Sequence, residues 1–238
     1  MRLPVICIDG TAASGKTTIA KLLADRLELF YLDTGVLYRA LTLVALERGV
    51  RPSDGDALAQ LAGELKIEVK PAPPGDLRQT IVLADGKDVS LAIRTPAVDA
   101  DVSEVSAHKA VREALADIQR AVAEKGGVVL AGRDMGTVIW PQAEVKLFLD
   151  ATEDERARRR QRQAEEQGVH LDFSSVLADL RRRDNYDSNR KVAPLRPAAD
   201  AVILDTTPMT VEQVVERALE VVRSKTATAP DQPGLVEQ

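Results

Sequence analysis

Five short, continuous apolar runs recur along the chain, each of strand length and too short for a helix. A continuous run is typical of a parallel strand that is covered on both faces. In a strand with one solvent-exposed face, apolar and polar residues alternate. Longer segments with apolar residues at helical spacing separate the runs. This order predicts a doubly wound α/β fold, with a five-stranded parallel sheet and helices on both faces. The predicted strands are Val5–Asp9, Leu29–Leu32, Val128–Ala131, Val145–Leu149 and Ala201–Leu204.

Two regions depart from this order. Residues 66–70 and 79–83 have strand patterns on either side of a proline-rich segment, and an Asp85-Gly86 pair follows them. Because Asp-Gly tolerates the positive φ of tight hairpins, we predict a small antiparallel β insert here. Residues 224–238 contain few apolar side chains and two prolines, which predicts a disordered tail.

Composition narrows the classes of function. With 238 residues, 45% of them apolar, the chain can bury the core of one domain, with or without an insert. A net charge of −5 argues against general nucleic-acid binding. One cysteine and two histidines are too few for a disulfide framework or a metal-ligand cluster. Since no signal peptide or membrane span is visible, we expect a cytosolic protein that binds no membrane.

A glycine-rich loop follows the first predicted strand. Residues 10–17 read Gly-Thr-Ala-Ala-Ser-Gly-Lys-Thr, a complete phosphate-binding loop (P-loop) between a strand and an amphipathic helix. Its backbone N–H groups would surround phosphates, Lys16 would reach the outer ones, and the Thr17 hydroxyl would ligate Mg²⁺. The motif therefore predicts a P-loop fold that binds ATP. The expected ATP-binding residues are Gly10, Thr11, Ala12, Ala13, Ser14, Gly15, Lys16, Thr17 and Thr18.

Kinases, GTPases and ATPases share such loops, so other residues must separate them. The Asn/Thr-Lys-x-Asp tetrapeptide that recognises guanine is missing from the sequence. Asp150 ends a strand as the metal-binding aspartate of an ATPase does, but Ala151 follows where such an ATPase has a glutamate. We therefore favour Asp150 as a residue of a strand-end turn. A small-molecule kinase fits better, because charged residues for a second anionic ligand recur downstream.

Four charged sites could form that second ligand site. Three of them have a structural alternative: an N-cap at the first, a local ion pair at the third and an i,i+4 salt bridge at the fourth. A shared ligand explains all four together. The sites are Asp33-Thr34 with Tyr38-Arg39, Arg112 in a predicted helix that begins after Pro96, Arg133-Asp134, and Arg183, Asp187 and Arg190 on a predicted helix that starts near Asp172.

A separate arginine run lies on a predicted helix that Thr152 and Glu155 begin as a capping box and Gly168 ends. Such runs are often solvated helix faces. Because arginine makes bidentate contacts with phosphate, we favour a mobile lid that closes over the transferred phosphoryl group. The run comprises Arg156, Arg158, Arg159, Arg160 and Arg162.

Together these motifs closely resemble the bacterial cytidylate kinases, a family of P-loop nucleoside monophosphate kinases, from about residue 3 to 223. The resemblance implies phosphoryl transfer from MgATP to CMP or dCMP, with UMP a weaker acceptor, by a monomer. It also implies one kinase domain over residues 1–223, in which 1–40, 120–152 and 190–223 form the core, 41–119 bind the monophosphate and 153–189 form the lid. The motifs that carry it are Ile8-Asp9-Gly10, Leu32-Asp33-Thr34-Gly35-Val36-Leu37-Tyr38-Arg39, Ala131-Gly132-Arg133-Asp134-Met135-Gly136-Thr137, and Arg183-Asp184 with Asp187, Arg190 and Ala193-Pro194-Leu195.

The resemblance assigns roles to single residues. Two positions depart from the family pattern, Thr34 where serine is common and Ala131 where an acidic residue often lies, and either could soften selectivity. Another small-metabolite kinase and an ATP-gated switch protein stay open as alternatives. The implied roles are catalysis by Lys16, Arg159, Arg160 and Asp33, binding of the acceptor phosphate by Arg39, Arg133 and Arg190, recognition of cytosine by Thr34, Arg112 and Asp134, and contact with the sugar by Tyr38, Ser103, Arg183 and Asp187.

Overall fold

The computed structural model of the protein describes residues 3–73, 76, 80–166 and 168–227. Its strands are β1 (Val5–Gly10), β2 (Phe30–Asp33), β3 (Ile67–Pro71), β4 (Thr80–Ala84), β5 (Lys87–Asp88), β6 (Val128–Ala131), β7 (Val145–Asp150) and β8 (Val202–Asp205). Five of them form a parallel sheet in the order β2-β6-β1-β7-β8. The five predicted strands are confirmed, each to within one residue at either end.

Helices cover both faces of this sheet. In β1, Ile6 and Ile8 pack into one apolar layer with α1 and α8, while Val5 and Cys7 pack into the opposite layer with α5. Burial on both faces explains why the strands are continuously apolar. No helix in the described ranges is long and apolar enough to cross a membrane. The helices are α1 (Lys16–Leu27), α2 (Gly35–Glu47), α3 (Gly55–Glu64), α4 (Pro96–Val105), α5 (Lys109–Glu124), α6 (Glu153–Glu165), α7 (Phe173–Asn189) and α8 (Val211–Ala227).

The predicted antiparallel insert is confirmed as a three-stranded sheet in the order β3-β4-β5. Asp85 and Gly86, with φ of +48° and +81°, form the predicted turn between β4 and β5. The insert packs with α2 to α5 around a second apolar core. Gln79, which we predicted in a strand, lies outside the described residues.

Two boundaries predicted from the sequence are wrong. The helix after Pro96 ends at Val105, and Arg112 lies on a separate helix, α5, because the backbone of His108 is extended. The tail is helical as far as Ala227, since α8 keeps its buried apolar face through Val221 and Val222. The rest of the predicted disordered tail, residues 228–238, lies outside the described residues.

Candidate active site

One cleft of about 1050 Å³ opens at the carboxyl edge of the parallel sheet, where open α/β sheets bind ligands. It collects nearly all the residues that the sequence singled out. Gly10 and Thr11 do not line it: Gly10 is buried at the end of β1, and the Thr11 hydroxyl donates to Asp150 (2.9 Å). The predicted residues that line the cleft are Ala12 to Thr18, Asp33, Thr34, Tyr38, Arg39, Ser103, Arg112, Arg133, Asp134, Arg159, Arg160, Arg162, Arg183, Asp187 and Arg190.

The P-loop has the backbone that an anion site requires. Gly10 tolerates no side chain, because a Cβ there would lie 2.0 Å from the carbonyl oxygen of Leu149. Gly15 precedes α1 with φ +92°, makes no side-chain cap, and no acidic residue stands in the first helical turn. The first N–H groups of α1 are therefore open to an anion from the cleft, at the positive end of the helix dipole.

Lys16 is folded back onto the loop. Its ammonium group donates to the carbonyl oxygen of Thr11 and lies 3.4 Å from the Ser14 hydroxyl. Burial lowers the pKa of Lys16 well below its usual value, and the positive charge of Arg133 lowers it further. A bound phosphate would supply the negative charge that this buried ammonium lacks.

Oxygen ligands suitable for Mg²⁺ lie beside the loop. Thr17 is exposed to the cleft, and the Asp33 carboxylate lies at the end of β2, where it accepts the N–H of Gly35 (3.0 Å). Mg²⁺ is usually held by one or two protein oxygens together with substrate phosphates and water. A hydroxyl and a carboxylate in one cleft fit this requirement.

Asp150 belongs to the strand-end turn, as the sequence indicated. Its carboxylate accepts the N–H of Ala151 (2.9 Å) as well as the Thr11 hydroxyl. The bond with Thr11 ties the end of β7 to the P-loop.

Opposite the P-loop, two long-range ion pairs hold the charged residues of the other sites. Arg133 donates to Asp187 (2.8 Å) and Arg112 to Asp134 (2.5 Å). The local Arg133–Asp134 pair that we considered from sequence is therefore not the arrangement. Burial would raise the pKa of Asp187, but the charges of Arg133 and then Arg190 hold it below its ordinary value.

The Arg112–Asp134 pair is nearly closed to solvent, with side chains 7% and 2% exposed. The guanidinium of Arg112 lies over the ring of Tyr38, 5.3 Å from its centre, and also donates to the carbonyl oxygen of Ser106 (3.1 Å). Burial raises the pKa of the Tyr38 hydroxyl, so the ring stays neutral beneath the guanidinium. A buried pair held on several sides has little freedom to move.

Positive charge is concentrated beside this pair. Burial lowers the pKa of Arg183, and the charges of Arg133 and Arg39 lower it further. Within the described ranges, Arg183 has no hydrogen bond or ion pair, and one buried nitrogen of Arg190 has no hydrogen-bond partner. Arg39 is held by Asp99 (2.6 Å), which the sequence did not single out. This part of the cleft therefore suits an anion.

The predicted helix near residue 172 is confirmed as α7, which the Asp172 side chain caps. Arg183 and Asp187 lie on it, whereas Arg190 follows its last residue. Thr34 begins α2 without a capping bond, and its hydroxyl donates instead to the carbonyl oxygen of Ala131 (3.0 Å). Ser103 is half-buried on α4.

The arginines of the run lie on different faces of α6. Thr152 caps this helix, as predicted. Arg156 is buried and donates to the carbonyl oxygen of Ala12 (3.0 Å) and to the Asp184 carboxylate, so its expected place in the lid surface is wrong. Arg158 is exposed outside the cleft. The run members that line the cleft are Arg159, Arg160 and Arg162.

Three residues without a predicted role hold the site together. Asp184 accepts the N–H of Ala12 (3.1 Å). The Thr206 hydroxyl accepts from Arg159 (2.9 Å) and donates to the backbone carbonyl oxygen of Asp150 (3.0 Å). Asp9 accepts two backbone N–H groups, and burial raises its pKa to about 6. Asp9 and Thr206 end or follow parallel strands, so their place at the sheet edge was a usable signal. Asp184 belongs to the Arg183-Asp184 motif of the family resemblance, but no signal in the sequence indicated that it contacts the P-loop.

Comparisons with known proteins identify the family. The sequence profile of the cytidylate kinase family matches residues 6–224. The cytidylate kinase of Geobacillus thermodenitrificans is 49% identical over 220 residues, 92% of this chain and 96% of its own. That of Escherichia coli O1:K1 is 46% identical over 226 residues, 95% and 98% of the two chains.

A solved structure of an uncharacterized protein from Eubacterium ventriosum shares the fold with a TM-score of 0.52. It is 14% identical and covers 93% of this chain and 99% of its own. The extent of the sequence matches shows that the chain belongs to the cytidylate kinase family.

Proposed function

We propose that the protein transfers the γ-phosphoryl group of MgATP to CMP or dCMP, giving ADP and CDP or dCDP. The observation that carries the proposal is the buried Arg112–Asp134 pair, which shares one cleft with a P-loop and an arginine cluster. Family membership supports the same reaction.

The donor phosphates would bind along the loop. The N–H groups that begin α1 would hold them, and Lys16 would leave the Thr11 carbonyl to reach them. Bound Mg²⁺ would neutralise phosphate charge, with Thr17 as its protein ligand and Asp33 ordering its water.

The acceptor would lie across the cleft. Arg39, Arg133 and Arg190 would hold its phosphate, while Tyr38, Ser103, Arg183 and Asp187 surround its sugar. Cytosine presents an amino donor beside two acceptors, which complements the Asp134 carboxylate and the Arg112 guanidinium. In uracil a carbonyl replaces the amino group and would face the carboxylate, so UMP should be a weaker acceptor.

The transfer itself needs no protein nucleophile. An oxygen of the acceptor phosphate attacks the γ-phosphorus, the bond to the bridging oxygen breaks, and ADP leaves with that oxygen. Lys16, Arg159 and Arg160 would stabilise the charge on the moving group, because positioning and charge stabilisation supply most of the rate. A lid formed by residues 153–189 would exclude water, which otherwise accepts the phosphoryl group.

ADP release tests the proposal, with CMP, dCMP, UMP, AMP and shikimate each offered as acceptor. We expect fast release with CMP and dCMP, slower release with UMP, and little with AMP or shikimate. Preference for another acceptor would mean a different small-metabolite kinase, and slow release indifferent to every acceptor would mean an ATP-gated switch. The monomeric state and cytosolic location stay predictions.

A further inference from the structure

Asp9 lies directly before the P-loop, yet its carboxylate is bound to the opposite half of the cleft. It is 4% exposed at the end of β1. Its two oxygens accept the N–H groups of Met135 and Gly136, each at 2.8 Å. These two residues begin a short π-helical turn, Met135–Ile139, immediately after Arg133-Asp134.

The turn needs a cap from elsewhere. Its first N–H groups have no partner within the turn, and a carboxylate at this end is favourable. Asp134 stands at the capping position, but its side chain makes no capping bond and pairs with Arg112 instead. Asp9 satisfies the N–H groups in its place, which leaves Asp134 available to the pocket.

The turn is also closely packed on the sheet. A Cβ added to Gly136 would lie 3.1 Å from the Lys146 side chain and 3.5 Å from the Asp9 carboxylate. The N–H of Gly132, one residue before Arg133, donates to the carbonyl oxygen of Ile8 (3.0 Å). The end of β1 thus holds the segment that carries Arg133 and Asp134 from both sides.

We propose that Asp9 is a positioning residue of the acceptor site, not of the donor loop beside it. By capping the turn Met135–Ile139 it keeps Asp134 paired with Arg112 and directed at the base. The inference rests on the proposed function for the identity of the acceptor. In Asp9→Asn, an NH₂ group replaces one acceptor oxygen, so one backbone N–H loses its partner and draws Asp134 away from Arg112.

The test separates the two nucleotides. In Asp9→Asn we expect KM for CMP, and the dissociation constant of CMP measured by calorimetry, to rise about tenfold, because a buried N–H has lost its acceptor. KM for ATP should change less than twofold. The control is Glu144→Gln, which weakens a carboxylate bond to the N–H of Val5 (2.9 Å) at the other end of β1 and should change neither constant.

Two results would overturn the proposal: equal losses of ATP and CMP affinity, or no loss of CMP affinity. If Asp9→Asn does not fold, hydrogen exchange of the wild-type protein decides instead. The amides of Met135 and Gly136 should exchange as slowly as those of β1, and exchange at the rate of exposed amides would contradict the cap. A wild-type protein that does not bind CMP would refute the proposed function, whereas the exchange result would still test the cap.

Discussion

The two halves of the cleft are built from different parts of the polypeptide. The donor half is one contiguous segment, residues 12–18, in which backbone N–H groups supply most of the binding capacity. The acceptor half takes side chains from α2, α4, α5, α7 and the loop after β6, and long-range ion pairs hold them. Backbone donors recognise the charge of a phosphate. Side-chain pairs such as Arg112–Asp134 can also distinguish one base from another.

The energetic demands of the two halves differ accordingly. The N–H groups of a helix terminus are available without any partner. The buried charges of the acceptor half must be paired, because an unpaired charge in a closed site is costly. Asp99 pairs with Arg39, and the carbonyl oxygen of Ser106 accepts a hydrogen bond from Arg112. Asp9 pairs no charge but accepts the backbone N–H groups of the turn that follows Asp134. Because the two halves differ in this way, substitutions in the donor half should lower the rate for every acceptor. Substitutions in the acceptor half should alter which acceptor is preferred.

The largest effect is expected in the donor half, at Lys16. Lys16→Ala should lower kcat about 10³-fold, or roughly 4 kcal/mol of transition-state stabilisation, because Lys16 provides the only side-chain charge of the loop. The loss should far exceed any change in thermal stability. Lys21→Ala on the same helix, outside the cleft, is the control. Steady-state kinetics within tenfold of wild type would contradict this role.

The next effect concerns the arginines of α6 that line the cleft. Replacing Arg159 and Arg160 together by alanine should lower kcat by about 10²-fold while CMP affinity barely changes, since these residues would act on the transferred group. Arg158→Ala provides a matched control, because Arg158 is exposed on the same helix outside the cleft. Amide exchange over residues 152–166 should slow when both nucleotides bind. Equal exchange with and without ligands would make this an ordinary solvated helix face.

Most of the fold could be predicted from the sequence, because each core strand is a short apolar run bounded by polar residues. The hydrophobic pattern did not predict two helix boundaries correctly. The break before α5 is one example: the sequence predicts that Arg112 lies in the helix that begins after Pro96, and only the structure shows that the extended backbone at His108 separates the two. The helical start of the tail is another, because Ser224 and Thr226 look like loop residues but donate to carbonyl oxygens of the preceding turn.

Site residues that follow the ends of strands could be predicted from the sequence. Residues that hold other site residues in place could not. The P-loop could be identified from spacing alone, since one contiguous segment contains the whole motif. The pairing of carboxylates with guanidinium groups depends on the tertiary structure. Arg133 pairs with Asp187, 54 positions away, and not with the adjacent Asp134. Likewise, Arg156 looks like its exposed neighbours in sequence, and only its burial beside Asp184 shows that it braces the P-loop.

The CMP/UMP ratio of kcat/KM, measured for wild type, Asp134→Asn and Lys16→Ala, shows whether Asp134 recognises the base while Lys16 serves every acceptor alike. Asparagine can donate to the uracil carbonyl, so the ratio should fall in Asp134→Asn by about 5- to 150-fold, the 1–3 kcal/mol of one base-specific contact. In Lys16→Ala, kcat/KM should fall by the same factor for CMP and for UMP, which leaves the ratio unchanged. An unchanged ratio in Asp134→Asn would contradict recognition of the base by Asp134, since Asp134 would then only pair with Arg112 and the base would be recognised elsewhere.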